Sequence, residues 1–217
     1  MFTNKAAFLL VVLVLFIVTP ARAANFDWDG GSLANDNWTT GVNWVGDVAP
    51  PNAYPLGFGD AARFSSTDAQ ASSATINNIV EANRAIGVLR YFPGSSLLWQ
   101  NTQIDSGVTL LVGGSDGTRT FGVGAAIAGT TTDQVTISGD GTLFVDRSAS
   151  GGTIRIGEGT TGLNSGTVDM SGLATFTASL SSTGLNGLFQ IGSPSTNSGV
   201  GSSNSLPPAR SPPPQSA

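Results

Sequence analysis

Between Asp140 and Met170 the chain repeats one short pattern three times: a glycine, a threonine, then apolar, any residue, apolar. The members are Gly141-Thr142-Leu143-Phe144-Val145, Gly152-Thr153-Ile154-Arg155-Ile156 and Gly166-Thr167-Val168-Asp169-Met170. Side chains alternate along a strand, so each member sends two apolar groups to one face and one residue to the other. Polar Gly, Ser, Asn and Asp corners separate the members. Strands this short bury too little to stand alone, and the pattern therefore calls for stacking.

The same texture extends in both directions. From Gln103 onward come Val108–Val112, Thr120–Val123, Gln134–Ile137, the three members above, Ala174–Ala178 and Gly187–Ile191. Short strands at close spacing with turn residues between them fit either a β-sandwich or a β-solenoid. Recurrence of one signature with similar corners favours the solenoid, since stacked turns demand it. Threonines flanking glycine corners suit a ladder in which hydroxyls stack. Ahead of this series, Ala74–Gln100 carries apolar residues in short runs broken by Pro93-Gly94, and Asn78–Arg84 fits a single helical turn. No stretch sustains a helical period over the length a helix needs.

The segment Asn25–Phe64 differs in character. It holds Trp28, Trp38 and Trp44, three of the four tryptophans, among Gly, Asn, Asp and Pro. Prolines and glycines argue against a helix here. Two roles are open to the rings: stacking on sugars as exposed aromatic faces, or covering the open end of a stacked core. The cap is the expectation, with Trp28, Trp38 and Trp44 kept as candidate glycan contacts.

Met1–Lys5 is followed by an apolar run from Ala6 to Val18 and by Ala21-Arg22-Ala23. A charged start, an apolar middle and an A-x-A site are the order of a secretory signal. The run is also short for a bilayer span, which takes about 20 apolar residues. Cleavage after Ala23 removes Lys5, the only lysine, and Arg22, taking the net charge from −5 to about −7. The seven remaining arginines are scattered with no two adjacent. No basic patch is visible, which argues against nucleic acid and anionic membranes as partners. Cysteine is absent, so an exported fold must rely on hydrogen bonding and stacking rather than disulfides. Ser193–Ala217 is mostly Ser, Pro, Gly and Asn with Val200 and Leu206 as its sizeable apolar residues. That is too few to offset the entropy of ordering, and a disordered tail is expected.

The Trp-rich opening (Phe26-Asp27-Trp28-Asp29-Gly30, Asn37-Trp38, Asn43-Trp44, Pro50-Pro51, Gly59-Asp60-Ala61-Ala62-Arg63-Phe64) and the ladder Leu110–Ile191 together resemble the bacterial autotransporter-associated β-strand repeat proteins. The resemblance implies a right-handed parallel β-helix at the cell surface or outside the cell. Those proteins are usually much longer, and nothing in this chain would form a translocator barrel.

Chemistry is narrowed by omission. With no His and no Cys, Ser-His-Asp and Cys-His catalysis and the usual zinc sites fall away. Carboxylates remain, since two of them about 5 to 9.5 Å apart can hydrolyse a glycosidic bond. Asp140, Asp146, Glu158 and Asp169 are the candidates, and each also reads as a corner or solvated position. Gly113-Gly114-Ser115-Asp116-Gly117 and Gly139-Asp140-Gly141 faintly echo calcium-binding turns without their fixed period or their oxygen count. No catalytic, cofactor or metal site is expected.

The sequence therefore predicts an all-β chain: a signal peptide (1–23), a Trp-rich cap segment (24–73), a parallel β-helix (74–192) and a disordered tail (193–217). The alternative fold is a β-sandwich. The expected role is structural or adhesive, at a bacterial cell surface or in the extracellular space with the periplasm also open. Glycans, matrix or another surface protein would be its partners, and no membrane span remains after cleavage. The alternative role is a glycan-binding or polysaccharide-degrading β-helix that uses carboxylates.

Overall fold

The computed structural model describes residues 24–52, 60–114, 119–124, 131–146, 153–157, 164–179, 189–191 and 200–204. The chain winds as a β-solenoid of about four turns, each contributing one strand to each of three sides. After β1 (Asn25–Asp27), the first turn is β2 (Ala61–Phe64), β3 (Asn78–Val80) and β4 (Arg84–Ile86). The second is β5 (Val88–Tyr91), β6 (Trp99–Ile104) and β7 (Thr109–Val112). The third is β8 (Arg119–Val123) and the long β9 (Thr131–Asp146), which covers two sides; the fourth is β10 (Thr153–Ile156), β11 (Asn164–Asp169) and β12 (Leu173–Ser179). β13 (Phe189–Ile191) and β14 (Val200–Asn204) continue the first and second sides. Every ladder between these strands is parallel, which excludes the antiparallel sandwich. Among the described residues there is no α-helix; Asn78–Arg84 is not a helical turn but the end-to-end approach of β3 and β4.

The core is a set of columns. On the first side Ala62, Leu89, Phe121 and Ile154 stack in register, and beside them Phe64, Tyr91, Val123 and Ile156. On the third side Ile86, Val112 and Val145 form one column, and Leu110 and Leu143 another. All of these side chains are buried. The second side is more polar: Asn78 stacks beside Thr102 and Ile137, and Gln100 beside Val135. The amide nitrogens of these buried groups are tied down, while the Asn101 side-chain oxygen is left without a hydrogen bond. Asn77 Nδ2 donates to Gln100 Oε1 at 2.9 Å, Gln100 Nε2 to the Thr67 carbonyl at 3.1 Å, and Asn101 Nδ2 to the Ser72 carbonyl at 2.8 Å. The amides thus fasten the loop between β2 and β3 onto β6, offsetting the cost of burying polar groups.

The three copies of the repeated pattern are not stacked on one another. Thr142–Val145 lies on the third side of turn three, Thr153–Ile156 on the first side of turn four, and Gly166–Asp169 on its second side. One copy thus marks one side of the solenoid, and the stacking partners of Leu143 are Leu110 above and Phe176 below. Gly152 lies outside the described residues.

Glycine has a specific task at the bend inside β9. Gly139 sits at φ 104°, and a Cβ there would collide with the carbonyl oxygen of Ile104 in the preceding turn. A Cβ on Gly141 would press on Ile104, Asp105 and Val108. The corner passes too close to the one above it for any side chain. Part of the expected disordered tail is also corrected: Val200–Asn204 forms a parallel ladder with Ser165–Asp169. The ladder's hydrogen bonds offset the ordering entropy that apolar content alone would not. The rest of that tail, like the signal segment, lies outside the described residues.

Gly139→Ala should lower stability by about 2 to 4 kcal/mol through backbone strain and collision. Gly107→Ala, where φ is 75° but the space is open, should cost about 1 kcal/mol. Chemical denaturation of both variants checks this, and equal losses would contradict the close approach at the corner.

Candidate functional site

The three tryptophans nominated as glycan contacts face inward. Trp28, Trp38 and Trp44 are 1%, 1% and 0% exposed. They surround Phe64, with ring centroids 5.7, 5.4 and 5.8 Å from it, and Phe64 in turn stacks on Tyr91 at 5.0 Å and 23°. Trp44 meets Trp28 and Trp38 edge to face at 5.0 and 5.6 Å. Pairs of this kind contribute about 0.5–1.5 kcal/mol each beyond the area they bury. Each indole N–H is also satisfied, Trp28 by Asp68 Oδ2, Trp38 by Asn78 Oδ1 and Trp44 by the Trp38 carbonyl. No ring face is left for a sugar. The rings close the end of the core, as the expected cap does.

The segment that carries them works as a turn placed ahead of the first. On the first side β1 pairs with β2. On the second, the Trp38 N–H donates to the Ile79 carbonyl at 2.9 Å and the Ile79 N–H to the Asp36 carbonyl at 2.7 Å. On the third, the Ala85 N–H donates to Asn52 Oδ1 at 2.6 Å, and Arg84 Nη1 to the Pro50 carbonyl at 2.9 Å. Among the described residues, each of the three sides of turn one is thus contacted at this end, which blunts edge-to-edge association. Glu81 locks the segment in place by accepting from the Trp38 and Thr39 N–H groups and the Thr39 hydroxyl. Asn43, fully buried, spans the loop by donating to the Asn35 and Asn37 carbonyls and accepting from the Ser32 N–H.

Asp68 stands out among the carboxylates. Burial pushes its carboxyl above the usual value, the Trp28 N–H pulls it back, and Asp36 and Asp29 push it up further. Its left-handed backbone, φ 56°, aims the side chain at Trp28.

The carboxylates nominated for chemistry are spread out. Asp140 is exposed at the bend between the second and third sides. Asp146 ends β9 on the third side beside Ser179. Asp169 lies on the second side beside Thr136, and its Oδ1 accepts from the Ser171 N–H at 2.9 Å, holding the next corner. Glu158 lies outside the described residues, as does most of Gly113–Gly117 beyond its first two residues. Among the described residues, no group of three or more Asp or Glu side chains is placed to hold a metal ion, and no helix is long and apolar enough to cross a membrane.

Sequence reasoning missed what lies on the outside. Residues that face outward in successive turns fall into columns, as the core residues do. On the first side one column runs Asp27, Arg63, Arg90, Gly122, Arg155, Gln190. Asp27 pairs with Arg63 at 2.7 Å, and the Arg63 guanidinium lies over the Phe92 ring at 5.7 Å. On the second side Trp99, the fourth tryptophan, is half-buried beside Gln134, which is followed by Thr167. On the third side Thr109, Thr142 and Thr175 form a hydroxyl column beside Leu111, Phe144 and Thr177. The arginines are far apart in sequence, and only the turn length brings them together. Comparison with protein-family models, with curated proteins and with solved structures gives no match.

Tryptophan emission should be blue-shifted and resist acrylamide, with Trp99 supplying the quenchable share. Trp99→Phe should remove that share, and ready quenching in this variant would contradict the buried cap. Asp68 gives a pH test. Its raised value means that the folded chain holds the proton more tightly than the unfolded one. The stability it adds is therefore fully present below pH 3.8 and is lost as pH rises through the folded value. Asp68→Asn keeps an oxygen for Trp28 and tolerates the left-handed backbone. Its gain in Tm over the unaltered chain should be small near pH 3 and grow toward neutrality; a gain independent of pH would refute the linkage.

Proposed function

We propose that the chain is an exported structural or adhesive β-solenoid of a bacterial cell surface or extracellular space, related to the autotransporter-associated β-strand repeat proteins. One observation carries this reading. Successive turns present their outward residues in register, with threonines recurring on the third side and arginines on the first, so the surface is ordered at the ladder spacing of about 4.7–4.9 Å. A surface ordered in this way suits a repeating partner such as a glycan or matrix polymer, where many weak contacts add up. The signal-like segment Met1–Ala23 supports export, and the absence of cysteine removes any need for oxidative maturation. A half-buried outward Trp99 on the second side supports glycan contact as a second reading, because an indole offers a flat apolar face to a sugar ring.

Expression with the native leader in a bacterial host should yield an exported protein beginning at Ala24, read by N-terminal sequencing. That protein should be retained on immobilised polysaccharide or matrix without releasing reducing ends. Turnover of a polysaccharide panel, or retention of the protein in the cytoplasm, would overturn the reading.

A further inference from the structure

We infer that the first side of the solenoid is a binding surface for an anionic polysaccharide, gripped by Arg90 and Arg155 on either side of Gly122. This deepens the surface-contact reading above and rests on it. Register places Arg63 beside Arg90, Arg90 beside Gly122, and Gly122 beside Arg155. Two ladder steps of 4.7–4.9 Å set the Cα atoms of Arg90 and Arg155 roughly 9.5 Å apart. The residue between them has no side chain and is itself buried, so the two arginines are the outward groups of this stretch of the row. All three arginines are half-buried, which places their stems against the sheet and orders their forks more than a free surface position would.

The chemistry of the row selects its ligand. A guanidinium presents five N–H donors in a planar fork, and carboxylates and sulfates match the fork in pairs. The row is also directional. Asp27 closes one end by pairing with Arg63 and would repel an anion there, while Gln190, an uncharged hydrogen-bonding residue, continues the other end. A linear row with cations at intervals fits an extended polymer carrying one charge per sugar better than it fits a single small anion. The chain as a whole is acidic, at −5, so no net positive field draws in a polyanion of any kind. Recognition is therefore by contact along one side rather than by long-range attraction.

The experiment uses the exported chain in affinity electrophoresis and calorimetry with polygalacturonate, with dextran as a neutral control. Polygalacturonate should bind and dextran should not displace it, and binding should weaken between about 0.02 and 0.3 M salt as screening increases. Arg90→Gln with Arg155→Gln should reduce affinity roughly tenfold, with the unfolding temperature monitored as a check on folding. If that pair fails to fold, Arg90→Lys with Arg155→Lys keeps the charge but loses the fork, and a loss of roughly threefold is expected. Undiminished binding by a folded variant, or no binding of polygalacturonate by the unaltered chain, would overturn the inference. Retention of both the unaltered chain and the glutamine variant on a neutral glycan or matrix would show that the adhesive reading survives while this site does not. Loss of all retention by the unaltered chain would remove both.

Discussion

The whole structure depends on parallel registry between turns. Each residue lies one ladder step from its counterpart in the next turn, so a side chain that faces inward once must find an inward-facing partner above and below. Leu89 on Phe121 on Ile154, and Leu110 on Leu143, are consequences of that one constraint. The constraint also tightens the corners. Where the chain bends within β9 it passes against the bend of the preceding turn, and only glycine fits at Gly139. Backbone pairing and side-chain stacking together supply what a cysteine-free chain cannot draw from disulfides.

A solenoid built this way has an exposed end, and the N-terminal segment covers it in two ways at once. Its backbone and side chains engage the edge on all three sides of the first turn, and its three indoles fill the mouth of the core around Phe64. The interior next to this cap is more polar than the turns beyond it. Trp38, Asn78, Asn77, Gln100 and Asn101 form a hydrogen-bonded chain, and the Tyr91 hydroxyl meets the Thr102 hydroxyl at 2.7 Å. Burial pushes the Tyr91 hydroxyl well above its ordinary value and holds it protonated, with the Thr102 hydrogen bond offsetting only part of the shift. Buried polar groups in such a place fix one register, since a slip would leave them unsatisfied.

The same registry that orders the core also orders the surface. An outward residue is repeated or answered in the next turn, so the outside carries columns rather than isolated side chains. Those columns differ by side: guanidinium groups on the first, Trp99 with amides and hydroxyls on the second, threonines with Leu111 and Phe144 on the third. A surface of this kind distributes its side chains along a length, and that ordering is the basis on which a polymeric partner is proposed.

The period-two alternation, the glycine corners and the lack of any helical period were enough to determine an all-β stacked fold, because strand geometry follows from local side-chain pattern. The clustering of Trp28, Trp38 and Trp44 in a Gly- and Pro-rich segment likewise marked a cap, since large rings in such a segment have little else to cover. What no local pattern contains is the number of residues per turn, and everything that depends on it came from the tertiary structure. The three Gly-Thr motifs look like stacked copies but are successive sides of the winding. Val200–Asn204 looks too polar to order, yet the edge of β11 supplies its hydrogen-bond partners. Arg63, Arg90 and Arg155 look scattered, and one turn length each, with Gly122 between the last two, makes them a row. Alternation along a strand is a property of neighbours in sequence, whereas a column is a property of the distance the chain travels before it returns.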